Sequence, residues 1–224
     1  MEQVPFGDIT FAENPEARCA CVLVLDVSSS MRGKAIQELN EGLIAYQDEL
    51  SADTLAAKRV EVAVVTFGGD VKTETEFTTA DYLIPPTLVA TGDTPMGAAI
   101  QHAIALLDAR KAVYRENGIA MYRPWIFLIT DGAPTDSYKK AAQAVREGVA
   151  SKSFIFFAVG VEGANFKVLR EISVTEPLKL KGTQFRELFA WLSESQKAVS
   201  SSNPGENITP SNPTGPDGWG SIPT

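Results

Sequence analysis

The stretch Cys19–Met31, CACVLVLDVSSSM, decides the fold. Its first seven residues, Cys19–Leu25, are apolar without alternation, the pattern of a strand buried on both faces. Asp26 ends the run, and hydroxyls at Ser28 and Ser30 follow before a helical pattern begins. The same order recurs downstream. Val60–Phe67 (VEVAVVTF), Trp125–Thr130 (WIFLIT) and Phe154–Val161 (FIFFAVGV) are further apolar runs, and Leu178–Leu180 is a short one. Between them lie helical patterns. Lys34–Leu50 carries Ile36, Leu39, Leu43, Tyr46 and Leu50 on one stripe, and Pro95–Asn117 turns Met96, Ile100, Ala103, Ile104 and Leu107 inward. Ser137–Ala150, Phe166–Ile172 and Thr183–Val199 complete the set, the last with Phe185, Leu188, Phe189 and Leu192 on one face. Val71–Phe77 alternates weakly, is charged and follows Gly68-Gly69-Asp70, which predicts an edge strand in a hairpin. The pattern predicts a three-layer α/β, doubly wound, Rossmann-like fold: a mostly parallel sheet with one antiparallel edge strand. Such sheets place their sites at the carboxyl ends of the strands.

The chain has 224 residues, 44% of them hydrophobic, and a formal charge of −8. A surface this acidic repels phosphate backbones, so neither nucleic acid nor an anionic membrane is an expected partner. No apolar run approaches the ~18 residues of a membrane span, and the start, MEQVPFGD, has neither the basic nor the apolar region of a secretory signal. Cys19 and Cys21 point the same way on one strand and are poorly placed to bridge, so the expected location is the reducing cytoplasm. Residues 1–17 read as an N-terminal extension, 18–199 as the folded domain and 200–224 as a C-terminal tail. That tail holds five Pro, four Gly, five Ser, three Asn and three Thr. Deleting it from Val199 onward is expected to leave the fold intact. Trp219 and Ile222 would be its anchors if it docks, and an undocked linker is the alternative.

Three strand-end loops converge on one chemistry. Asp26, Ser28 and Ser30 follow the first strand, Asp131 follows Trp125–Thr130, and Thr94 enters a helix from the loop Thr91-Gly92-Asp93. Two carboxylates and three hydroxyls form a hard oxygen set that suits Mg2+ or Mn2+ better than Zn2+. Each residue also has a plainer reading. Ser28 to Ser30 could be helix caps, Thr94-Pro95 has the form of a cap followed by proline, and Asp131-Gly132 could be only a turn. Asp93, Asp136 and Ser137 read as turn or cap residues.

Asp26-x-Ser28-x-Ser30, then Thr94, then Asp131 in a TDG turn resemble the metal-ion-dependent adhesion site of von Willebrand factor A domains. The resemblance spans roughly Arg18 to Val199. It implies that Ser28, Ser30 and Thr94 contact a cation through hydroxyls, and that Asp26 and Asp131 do so directly or through water. A sixth position is then open to an acidic side chain of a protein partner. The loops TGDTPMG and ITDGAPTD further resemble the bacterial TerY-type tellurium-resistance proteins, which implies a place in a stress-response complex.

Enzyme readings lack parts. No G-x-S-x-G elbow, Walker A motif or G-x-G-x-x-G after the first strand is present. His102, the single histidine, falls off the apolar stripe and reads as a solvated helix position. The nearest alternative is a Mg2+-dependent phosphatase with Asp26 as nucleophile. Ser28 stands where that chemistry needs a second carboxylate, so a non-enzymatic module is expected. A purely structural metal is the other alternative.

Overall fold

The computed structural model describes residues 11, 13–206, 208, 210–214 and 218–223. Strand β1 (Cys19–Asp26) leads through a 3-10 turn at Ser29–Met31 into α1 (Lys34–Ala52) and the short α2 (Ala56–Arg59). The hairpin β2 (Val60–Gly68) and β3 (Asp70–Thr79) follows, then α3 (Met96–Glu116), β4 (Trp125–Thr130), α4 (Lys139–Ala150) and β5 (Ile155–Gly160). Helix α5 (Phe166–Ile172), β6 (Leu178–Leu180), α6 (Phe185–Ser200) and β7 (Gly220–Ser221) close the order. One sheet runs β3-β2-β1-β4-β5-β6-β7, parallel except at its two ends.

The lack of alternation in the central strands follows from their two buried faces. Along β1, Cys19, Cys21, Leu23 and Leu25 join the layer of α1 and α6, while Ala20, Val22 and Val24 join that of α3, α4 and α5. Every β1 residue is buried. Truncating Leu23 to Ala therefore opens a cavity worth about 2–5 kcal/mol. Both cysteines are free, and burial pushes their thiols up, Cys21 to about 12, which suits core residues. The expected stripe residues Leu39, Leu43, Tyr46, Leu50, Phe185, Leu188, Phe189 and Leu192 are all buried. At the end of α3, Gly118 takes φ +66° and Ile119 N–H returns to the Tyr114 carbonyl.

β3 alternates exposed with half-buried positions. Its charged outer residues Asp70, Lys72, Glu74 and Glu76, with register shifts against β2 between Val62 and Val65, guard that edge.

The sheet has a second antiparallel edge strand, β7, where one was expected, and it comes from the tail. Trp219 is only 3% exposed and packs edge-on against Trp191 at 5.5 Å, whereas Ile222 is exposed. Trp219 belongs to the same core layer as Leu180 and Trp191, so the expectation that no core depends on this segment is corrected. A single large ring anchors a stretch whose composition otherwise reads as linker. In the N-terminal segment Phe11 is buried, with the guanidinium groups of Arg18 and Arg110 5.4 and 5.0 Å from its ring centroid. Residues 1–10 and 12 lie outside the described residues.

At the amino end of the parallel strands Glu61 is buried and fully matched. Arg18 Nε donates to it at 2.9 Å, Arg110 Nε at 2.7 Å, Arg110 Nη2 at 2.9 Å, and the Tyr114 hydroxyl also donates. Arg18 itself is completely buried. Among the described residues, no helix is long and apolar enough to cross a membrane.

Candidate metal centre

At the opposite end of the sheet β1 delivers Asp26, in register with Phe67 of β2. The chain turns there because Ser28 N–H donates to Asp26 Oδ1 at 2.8 Å, closing an Asx turn. Thr130, the last residue of β4, donates its hydroxyl to Asp26 Oδ2 at 2.5 Å. Ser28 Oγ lies 2.9 Å from Ser30 Oγ, and Ser30 Oγ donates to Asp131 Oδ1 at 2.7 Å. Four of the five expected residues therefore join one hydrogen-bonded string across two strand ends.

Thr94 reaches the same place from the third loop. An ideal Cβ on Gly132 would lie 3.3 Å from Thr94 Oγ1 and 3.7 Å from Asp26 Oδ2, so both oxygens face the turn after β4. The loop is laced to the first by Thr91 N–H to Val27 O at 2.7 Å and Ser29 N–H to Gly92 O at 3.0 Å. Gly92 takes φ +70°, and any side chain there would strike Gly69 at 2.5 Å, so the β2–β3 turn buttresses the loop.

The capping readings do not hold for the hydroxyls. Ser28, before the 3-10 turn, makes no side-chain cap bond, and among the described residues the Thr94 hydroxyl bonds no backbone N–H of α3, whose first flanking residue is Pro95. The amino end of α3 is instead capped from another loop. Asp136 Oδ1 accepts from Gly97 N–H at 2.9 Å and Oδ2 from Ala98 N–H at 2.7 Å. Asp136 is thus a cap, as read from the sequence, but a long-range one. Thr135 is a residue the sequence reading missed: its hydroxyl accepts from Thr94 N–H at 3.2 Å, and its own N–H donates to Thr94 O. Thr130 was missed too, because a threonine closing an apolar strand carries no local signal. His102 is exposed and bonds only Thr73, at 2.8 Å.

The electrostatics are one-sided. Asp26 is completely buried, Asp131 is 9% exposed, and burial is the main cause raising both carboxyls above their ordinary range. Hydrogen bonds from Ser28, Thr130 and Ser30 oppose that rise, and Asp131 adds repulsion at Asp26. Among the described residues, neither carboxylate has an ion-pair partner. Nor do three His, Cys, Asp or Glu side chains cluster. The set consists of two carboxylates supplemented by three neutral hydroxyls, and its donor chemistry fits a hard dication.

Residues 21–187 match the von Willebrand factor type A domain. No curated protein matches the chain. Among solved structures, it is similar to proximal thread matrix protein 1 from the mussel byssus, at 17% identity and TM-score 0.55, over 84% of this chain and 47% of that one. It is also similar to pilus adhesin SpaC from Lactobacillus rhamnosus GG, at 13% and 0.64, over 82% and 30%. For the conserved hypothetical protein BatB from Bacteroides thetaiotaomicron the values are 20% and 0.53, over 82% and 100%. The chain spans about half the length of the byssal protein, and at these identities the likeness concerns the fold. Sheet order, the helices on both faces and a profile match over most of the domain agree: the chain belongs to the von Willebrand factor type A domain family.

Proposed function

We propose that this chain is a non-enzymatic, divalent-cation-dependent protein–protein interaction module. Asp26, Ser28, Ser30, Thr94 and Asp131 would hold the cation. The observation that carries this reading is the pair of buried carboxylates that meet hydroxyls and no basic side chain. A bound Mg2+ or Mn2+ would supply positive charge, with a coordination position left for an acidic group of a partner. The chain's own residues do the rest. Thr130 and the Ser28 amide fix both oxygens of Asp26, so that carboxylate is oriented before any ligand arrives. Five donors, three of them neutral, leave a six-coordinate dication one position that a carboxylate from outside can take. Exposed Ser30 marks the open side of the site, and buried Asp26 its floor.

Membership of a bacterial TerY-type tellurite-stress complex is a narrower proposal supported by the TGDTPMG and ITDGAPTD loops, and a cytoplasmic location is one supported by the two free cysteines. The deciding experiment is a pull-down from cells with Mg2+ and with EDTA, using wild type and Asp26→Ala. A partner lost with EDTA and with the variant supports metal-mediated capture. A partner retained in both, from a protein that still gains stability with Mg2+, assigns the metal a structural role instead.

A further inference from the structure

The segment after α6 docks on the β6 edge and against Trp191. Gly220 and Ser221 pair with Leu180 and Lys179 of β6, and Lys181 N–H donates to Trp219 O at 2.9 Å. Trp191 Nε1 donates to Ser211 O at 2.8 Å, and Gly220 N–H to Pro213 O at 3.0 Å, so the segment folds back over α6. Its grip is slight. The ladder has two residues, Trp219 is its one large buried side chain, and the Trp219 indole N–H is buried without a partner among the described residues. An unmet buried donor costs about 1–3 kcal/mol, which offsets part of what burying the ring gains.

The connector is long for its task. Helix α6 has 16 residues and rises about 24 Å. The stretch 201–218, extended, could reach about 60 Å.

We propose that the β6 edge with Trp191 is a strand-addition site through which two copies of this chain link, each covering the other's β6 edge with residues 218–223. A second copy is the occupant the observations favour because it carries the one segment whose fit to this edge is seen. Reciprocal exchange also repeats every cis contact in an isologous pair. The tethered segment competes at a roughly millimolar effective concentration, so exchange grows when copies are concentrated or gathered by a multivalent partner.

Two full-length variants test this by complementation. Trp219→Ala has an open β6 edge and no anchor, while Trp191→Ala has an intact anchor and a damaged docking surface. Each alone should sediment as a monomer, and their mixture should form a 1:1 heterodimer. Two folded variants that stay monomeric in the mixture up to about the millimolar range set by the tether would overturn the proposal. Should Trp191→Ala fail to fold, a fluorescent peptide of residues 211–223 replaces it. It should bind the Trp219→Ala chain about 10²-fold or more tighter than wild type, whose own segment competes. Equal binding to both, or none to the variant, would sink the idea. Gly220→Pro keeps the indole but removes the N–H bond to Pro213 O that holds the segment in place, and it serves if Trp219→Ala does not fold.

Discussion

The two ends of the parallel sheet bury carboxylates in opposite ways. At the amino end Glu61 meets two arginines and a tyrosine hydroxyl, with its charge fully matched inside the chain. At the carboxyl end Asp26 and Asp131 meet only neutral hydroxyls and an amide. A buried charge costs several kcal/mol unless compensated, so the first arrangement is complete and the second is where we propose a cation. Both ends hold carboxylates, and both bury them. The difference lies in where the positive charge comes from, and it separates a structural cluster from a candidate binding site.

The largest effect should come from breaking the complete cluster. Glu61→Ala leaves Arg18 buried and unpaired and should cost about 3–5 kcal/mol in urea unfolding, with or without Mg2+. A near-neutral result would mean that the two ends are not different in kind. Next comes the metal. Wild type at about 100 times its dissociation constant for Mg2+ should gain about 2.7 kcal/mol, read as a shift in the thermal melt. Asp131→Ala should lose that gain while its metal-free form is as stable as wild type or more so, because repulsion at Asp26 is relieved. Asp136, an acid beside the same site but matched by helix amides, sharpens the contrast. Its alanine variant should cost about 1 kcal/mol, equally with and without metal.

The smallest effect is in pH. Burial raises the folded-state values of Asp26 and Asp131, so the metal-free native protein holds protons that the unfolded chain releases. Their contribution is fully present below the ordinary carboxylate range and is lost as pH rises through the raised values. Metal-free wild type should therefore gain stability on mild acidification relative to Asp26→Asn/Asp131→Asn. Parallel melting curves for the two proteins across that window would remove the contrast.

Much of this was legible in the sequence because apolar runs without alternation have few folded destinations. β1, β4 and β6 lie where their residues predicted, and α5 does so to the residue. The site was legible for the same reason: strand ends in such a sheet share one rim, which unites Asp26, Ser30 and Asp131 across about half the chain. Two features stayed hidden, and a third, the docking of Trp219, was left open between two readings. Thr130 and Thr135 act through single hydroxyls with no spacing pattern. The helix Ala56–Arg59 has four residues, too few for a period to show. Trp219 reverses the meaning of its segment, since the composition of residues 200–224 is dominated by turn formers and one ring supplies the burial.

The sheet order has a kinetic consequence. Ser30 and Asp131 are 101 positions apart and Thr130 and Asp26 are 104, with the hairpin and α3 lying between them in the chain. The oxygen cluster assembles only after β4 has docked on β1, a late event in a topology governed by distant pairings. A cation bound there would stabilise contacts that we expect to form after the folding transition state. It should lengthen the lifetime of the native protein and leave the rate of refolding nearly untouched.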